Sequence, residues 1–368
     1  MDLVAEMLHA ALRAEAAAEF DIELIRPAMA RRFSRAAAGN RAAARRRFNA
    51  DRLINRFFDY PRHLRRIRDR FDLFHVIDHS YAHLTHTLDA RRTVVTCHDL
   101  DAFQSLIGPE RGRRSRAYRL MAGRILSGLR AAARIACDSE ATGGALIEHG
   151  LAPAPRVSVI PIGVAPEFSP APDARADHAA ALIAGAPAAN AIEILHVGST
   201  IARKRIDVLL DVFAALRSEY PAARLIRVGG PFTPAQNGMA RRLGVAAAIV
   251  KAPFVDRATL AALYRRAALV MAPSEAEGFG LPTLEALACG APVLASDIAA
   301  LREVGGDAAA YAPVADRDAW TAAAARLLRE RETPAAAARR AAAMARAGRF
   351  TWREAARRYA NVYRELPA

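Results

Sequence analysis

The chain has 368 residues, 53% of them hydrophobic and 25% charged, and a formal net charge of +15; that length can bury two cores. No apolar run approaches the ~20 residues of a membrane span, and the amino terminus, with Asp2 and Glu6, lacks a signal peptide's basic and apolar regions, so a cytoplasmic location is expected. Cys97, Cys137 and Cys289 are widely separated with no Cys-x-x-Cys pair, which argues against a zinc site or disulfide framework and for reduced, buried thiols.

In chain order, residues 3–17 read as a helix and 20–25 as a strand. Residues 31–70 then hold fourteen Arg against Asp51, Asp59 and Asp69, a balance of +11 that leaves +4 for everything else. Lys occurs only at 204 and 251, so a general preference explains Arg over Lys, but it does not explain the clustering. Phe48, Leu53, Ile54, Phe57, Phe58, Leu64 and Ile67 are interleaved with the cations, the pattern of an interfacial helix on anionic lipid. An anionic membrane surface is therefore the expected partner, with a merely solvated face as the alternative. No zinc-finger, ribonucleoprotein or helix-turn-helix signature accompanies the charge, so nucleic acid is not expected.

Strands are expected at 73–77, 93–97, 134–137 and 156–160, with a helix over 113–132. Between the first two lies His79-Ser-Tyr-Ala-His83-Leu-Thr-His86, whose spacing would place three imidazoles on one face of an α-helix. No carboxylate within the run completes a metal site, so none is expected; His79, Tyr81 and His83 are candidates for lining an acceptor site, with structural roles as the alternative. His98 follows the 93–97 strand, where an imidazole that titrates near neutrality can contact substrate, and Asp99 is the candidate to orient it. The Pro/Ala-rich stretch 165–190 is expected to link a domain at 1–164 to a second at 191–345. That second domain repeats the pattern with strands at 192–197, 225–228, 247–250, 269–271 and 292–295, and residues 346–368 contain a closing helix over 352–366.

Two carboxylates, Glu277 and Glu285, stand eight residues apart and bracket Gly278-Phe-Gly280-Leu-Pro-Thr283 between an apolar strand and a helix. The turn after a parallel strand opens into the crevice where α/β sheets bind ligands. Glycines there let the backbone approach a ligand, and the helix start offers N–H groups to an anion. A second constellation, Arg203 and Lys204, follows the glycine turn at Gly198, and a guanidinium beside an ammonium suits a diphosphate.

The first of these stretches resembles the Glu-x7-Glu motif of family 4 glycosyltransferases. His196-Val-Gly198-Ser-Thr-Ile-Ala-Arg203-Lys204 is similar to the family's "VGS…RK" segment. Phe254-Val-Asp256 with Leu260 to Tyr264, Cys289-Gly290-Ala-Pro292-Val, and Leu301-Arg-Glu303-Val-Gly305-Gly-Asp307-Ala also fit, in the family's order. The resemblance implies an α/β chain of GT-B fold, two Rossmann-like doubly wound domains facing across a cleft, with the last helix returning to the first domain. It implies retaining transfer of a hexosyl group from a nucleotide-diphosphate sugar, of GDP-mannose or UDP-hexose type, to a hydroxyl of a lipid-linked or saccharide acceptor. No metal or other cofactor is implied.

By the same resemblance Arg203 and Lys204 bind the donor pyrophosphate, and Gly198 and Ser199 line it, Ser199 supplying a hydroxyl where many relatives carry Arg. Glu277 bonds hydroxyls of the transferred sugar and Glu285 the ribose, while the backbone of Phe279, Gly280, Leu281, Pro282 and Thr283 completes phosphate binding. One departure stands out: the family opens with a strand and a glycine-rich loop, whereas this chain begins with what looks like the following helix. Translation is expected to start upstream of Met1. The alternative is a non-catalytic nucleotide-sugar-binding or scaffold subunit of the same fold.

Overall fold

The computed structural model describes residues 2–34, 41–108, 114–185 and 192–367. By its internal contacts the chain divides into two compact units, Met1–Ile162 with Trp352–Ala368, and Gly163–Thr351.

The sheet of the first unit contains β1 (Phe74–Val76), β2 (Thr93–Cys97), β3 (Arg134–Cys137) and β4 (Val157–Val159), all parallel and in chain order. Every residue of β2 is buried, as a central parallel strand covered on both faces must be. Phe74, Val95, Cys97, Ile135 and Cys137 pack with Ile125, Leu126 and Leu129 of the helix Arg116–Ala131. The closing helix, Trp352–Arg364, buries Ala355, Ala356, Tyr359, Ala360 and Tyr363 in this unit. Its Tyr359 and Tyr363 hydroxyls reach Thr96 Oγ1 at 2.9 Å and His75 Nδ1 at 2.7 Å.

Residues 20–25, expected as a strand, are extended but join no sheet. Phe20, Ile22 and Leu24 are half-buried and Asp21 and Glu23 exposed, so the alternation is that of a strand without its ladder. The segment is tied elsewhere: the His9 ring contacts Ile22 O at 3.2 Å, and Arg70 pairs with Glu23 at 3.4 Å. A cavity of about 1050 Å³ lies along this segment, bounded also by the helix Asp2–Glu15 and by the edge strand β1.

The basic segment folds as Arg41–Ile54, a π-turn Asn55–Asp59, and Tyr60–Ile67. Asp51 is buried beneath it and accepts from the amides of Arg32 at 3.0 Å, Phe33 at 3.1 Å and Ser34 at 2.9 Å, and from the Ser34 hydroxyl at 2.7 Å. Burial raises this carboxyl's pKa, but those donors outweigh it and hold the group down at about 2.

The second unit carries β5 (Glu193–Val197), β6 (Arg224–Val228), β7 (Ile249–Ala252), β8 (Leu269–Ala272), β9 (Val293–Ser296) and β10 (Ala310–Ala312). They form one parallel sheet in the order β10-β9-β8-β5-β6-β7. The chain winds outward from β5 to β7, then restarts at β8 on the other side of β5 and winds to β10. The β5–β8 boundary is therefore the topological switch point, where the loops after the two strands diverge and leave a crevice. Ile194, Leu209, Phe213, Leu225, Leu269, Leu294 and Trp320 fill the core. β10 was not anticipated, since Ala-Tyr-Ala is too short and too weakly apolar to signal a strand.

Residues 165–190, expected as a linker, instead include the helix Ala174–Ala184, and residues 186–190 lie outside the described residues. Asp173 caps the helix, accepting at 3.0 Å from the Arg175 and Ala176 amides, and Arg265 pairs with Asp177 at 2.7 Å. Ala180 and Ala184 are fully buried in this unit. Alanine is the strongest helix former, so an Ala-rich stretch flanked by prolines reads more truly as a capped helix than as a tether.

Candidate functional site

In the second unit the chain leaves β5 at Val197, turns at Gly198 and makes a short 3-10 turn, Ala202–Lys204. The Gly198 amide donates to Val228 O at 3.0 Å, which holds this turn beside the end of β6. After β8, the loop brings Glu277 back to the same place. Lys204 Nζ donates to Glu277 Oε1 and Arg203 Nη1 to Glu277 Oε2 at 3.1 Å, with Arg203 Nη1 also on Ala276 O at 2.7 Å. Burial raises the Glu277 pKa, yet Lys204, Ser274 and Arg203 pull it below the usual carboxylate value. Two cations therefore share one ionised carboxylate at the switch point.

Gly280 caps the helix Leu281–Ala288 with φ of 100°, a left-handed conformation that favours glycine. Pro282 has no N–H and the Thr283 amide is spent on Gly280 O at 2.9 Å, which corrects their expected role as phosphate donors. The helix start offers the amide of Leu281, with those of Phe279 and Gly280 before it. Ser199 lies in the loop after Gly198 and is largely exposed. Glu285, one turn into the helix, is 6% exposed and accepts from the Tyr264 hydroxyl at 3.0 Å. Burial pushes its pKa up to about 8, against the lowering effect of Tyr264.

Sequence reasoning missed Arg227. This β6 residue is 1% exposed, and its guanidinium donates to Gly198 O at 2.5 Å and to Gly230 O. Its signal was an arginine in a strand otherwise reading Leu-Ile-x-Val, next in register to His196.

In the first unit His98 is buried, with Nδ1 2.6 Å from Asp138 Oδ2 and Nε2 2.7 Å from Ile77 O. Two acceptors require both nitrogens to carry hydrogen, so the ring is an imidazolium. Burial lowers its pKa, but Asp138 and the Ile77 carbonyl outweigh that and raise it above 6.5. Asp138 at the end of β3, not Asp99, orients this ring. Asp99 lies 3.7 Å from His79 Nε2, and His79 Nδ1 accepts from the His98 amide at 3.3 Å.

Residues His79–His86 form a 3-10 helix, not an α-helix. Three residues per turn rotate His79 away from His83 and His86, so the three imidazoles share no face. His83 is buried with Nε2 2.8 Å from Arg56 O, and its pKa is pushed down to about 4, chiefly by burial. The Arg56 guanidinium lies 4.7 Å over the Tyr81 ring. No group of three metal-ligating side chains occurs among the described residues.

Comparison with known proteins gives this arrangement a lineage. Residues 191–330 match the model "Glycosyl transferases group 1", and residues 4–168 match "Glycosyltransferase Family 4". A D-inositol 3-phosphate glycosyltransferase of Thermobispora bispora is 37% identical over 236 residues, 60% of this chain and 53% of that protein. One from Streptomyces scabiei is 35% identical over 64% of this chain and 54% of its own length. The matches thus span about half the length of these curated relatives. Among solved structures, WaaG, a glycosyltransferase involved in lipopolysaccharide biosynthesis, superposes with a TM-score of 0.68 at 16% identity, covering 99% of this chain and 95% of its own. HepE of Anabaena, solved with UDP and glucose, gives 0.67 at 20% identity over 85% and 83%. The chain belongs to family 4 of the glycosyltransferases and has the GT-B fold.

Proposed function

We propose that this protein is a retaining glycosyltransferase that moves a hexosyl group from a nucleotide-diphosphate sugar to a hydroxyl acceptor. The observation that carries the reading is the meeting of Arg203, Lys204 and Glu277 at the switch point, beside the amides that open the helix Leu281–Ala288. When the bond from the sugar's anomeric carbon to the diphosphate breaks, the electron pair leaves with the nucleotide diphosphate. Arg203, Lys204 and those amides are placed to stabilise that charge. The acceptor hydroxyl oxygen forms the new bond to the anomeric carbon, and its proton passes to the departing diphosphate. Glu277 orients sugar hydroxyls and Glu285 the ribose, while Gly198 and Ser199 line the phosphates. On this reading the diphosphate displaces Glu277 from its cations, freeing a carboxylate for the sugar.

GDP-mannose and UDP-hexoses are the donor types proposed, and that HepE was solved with UDP and glucose supports the second. No metal takes part in this scheme. A lipid-linked or saccharide acceptor is proposed from the basic segment, where Phe48, Leu53 and Phe58 are exposed among the arginines of Arg41–Ile54 and Tyr60–Ile67. That face suits peripheral attachment to an anionic membrane; no helix among the described residues is long and apolar enough to cross one.

The test is a thermal-shift titration with UDP, GDP, ADP and their sugar conjugates, followed by acceptor-dependent release of the nucleotide. Stabilisation by one base with release supports the reading. A binding-only subunit is favoured by one specific observation: both nitrogens of His98 are already engaged within the first unit. Stabilisation without turnover on any acceptor would replace the transferase by that alternative.

A further inference from the structure

Beneath the proposed phosphate site, a buried cation stands without an acid. Arg227 lies on β6 in register with His196 on β5 and Lys251 on β7, so the three project from one face of the sheet. His196 is buried and uncharged, its pKa pushed to about 3 by burial and by Arg227 and Lys204. No ion pair joins Arg227 or Lys251 to a carboxylate among the described residues, and Arg227 Nε has no partner there. Lys251 Nζ donates to Asn237 Oδ1 at 2.7 Å and lies 5.3 Å over the Phe232 ring, so it takes no acid either. Glu277 is taken up by Arg203 and Lys204.

A buried charge left unpaired in a folded core is expensive, and burial depresses the Arg227 pKa accordingly. Arginine nevertheless stays charged, so its charge must act on its surroundings. Those surroundings are the turn itself. Arg227 donates to Gly198 O at 2.5 Å and to Gly230 O, and its guanidinium lies 5.5 Å over the Phe232 ring. Gly229, at φ of 132°, comes so close that a Cβ there would stand 2.0 Å from Gly198 O. By holding these carbonyls inward Arg227 pins both glycine turns, and its uncompensated charge adds to the field that an anion meets at Gly198 and Ser199.

We propose that Arg227 is a positioning residue for the nucleoside diphosphate, acting through the Gly198 and Gly229–Gly230 turns and through its charge, and that it sets the preference for a diphosphate over less charged nucleotides. The inference rests on the donor-site reading above. The experiment measures calorimetric affinity for a nucleoside, its monophosphate and its diphosphate in wild type, Arg227→Gln and Arg227→Lys, with melting temperature as the folding check. Gln keeps donors for the carbonyls without the charge, and Lys keeps the charge with fewer donors.

The expected result is that Gln loses diphosphate affinity by about tenfold and monophosphate affinity by less, with nucleoside affinity unchanged. Lys should keep the diphosphate-to-nucleoside ratio within about threefold of wild type. A Gln variant with the wild-type ratio, or a Lys variant as weak for diphosphate as Gln, would overturn the role of charge. A uniform loss for all three ligands would leave Arg227 as a structural residue only. Wild type showing no preference for the diphosphate would overturn the donor-site reading itself, which separates the two failures. Should Gln not fold, the Lys ratio alone decides.

Discussion

His98 of the first unit and Arg227 of the second handle buried charge in opposite ways. In the first, His98 is saturated by Asp138 and Ile77 O, and His83 is kept uncharged by burial. In the second, Arg203 and Lys204 share the Glu277 carboxylate, while Arg227, at the Gly198 turn, pairs with no carboxylate among the described residues. A saturated network stabilises the fold and asks nothing of a ligand. An under-neutralised one costs stability that an arriving anion recovers, so the difference marks the second unit as the place where a phosphate is expected to bind.

The comparison is broken most severely by removing the cations. Lys204→Met should lower turnover by about 10²- to 10³-fold, the range for losing one donor to developing charge, with little change in melting temperature. Turnover within threefold of wild type would sink the assignment.

The His98–Asp138 pair predicts the reverse pattern. Asp138→Asn leaves a buried imidazolium without its anion and should cost about 3–5 kcal/mol, read by urea denaturation near pH 6. The raised His98 pKa gives the wild-type pair stability that is present below the unfolded value near 6.5 and lost as pH rises through the folded value. The gap between wild type and variant should therefore narrow at alkaline pH, and a gap independent of pH would remove the imidazolium.

Glu285 sharpens the contrast inside the second unit. A carboxyl raised from 4.5 to about 8 is protonated when folded, so its stabilising effect is present below 4.5 and declines as pH rises toward 8. Glu285→Gln mimics the protonated form and should melt roughly 3–6 °C above wild type at pH 8, with no difference near pH 5. Its nucleotide affinity should fall where the ribose needs a carboxylate, and wild-type affinity would remove that role.

The smallest effect concerns the outer face of the first unit. Arg45, Arg46 and Arg47 changed together to Glu should reduce sedimentation with anionic liposomes several-fold at low salt, each cation near such a surface being worth about 1 kcal/mol. Unchanged sedimentation would leave that segment a solvated face.

The sequence by itself determined most of the strands and the spacing of the loop motifs, because both are written locally. A short β-branched run such as Thr-Val-Val-Thr-Cys at 93–97 reads as a buried strand, and Glu277 and Glu285 around Gly280 carry their spacing with them. Pairing was not legible. Residues 20–25 have a strand's alternation but are held by helix and loop contacts instead of a ladder, and residues 174–184 lie in a helix where low complexity suggested a tether. Asp138, forty residues from His98, and Arg227, twenty-nine from Gly198, reach their partners only because adjacent parallel strands bring their ends together. The tertiary structure also chose the tighter 3-10 turn for His79–His86 and so dispersed imidazoles that an α-helix would have aligned. Local periodicity specifies which side chains want burial, but charge is balanced through space, so only the fold decides which ions find a counterion and which are left for a ligand.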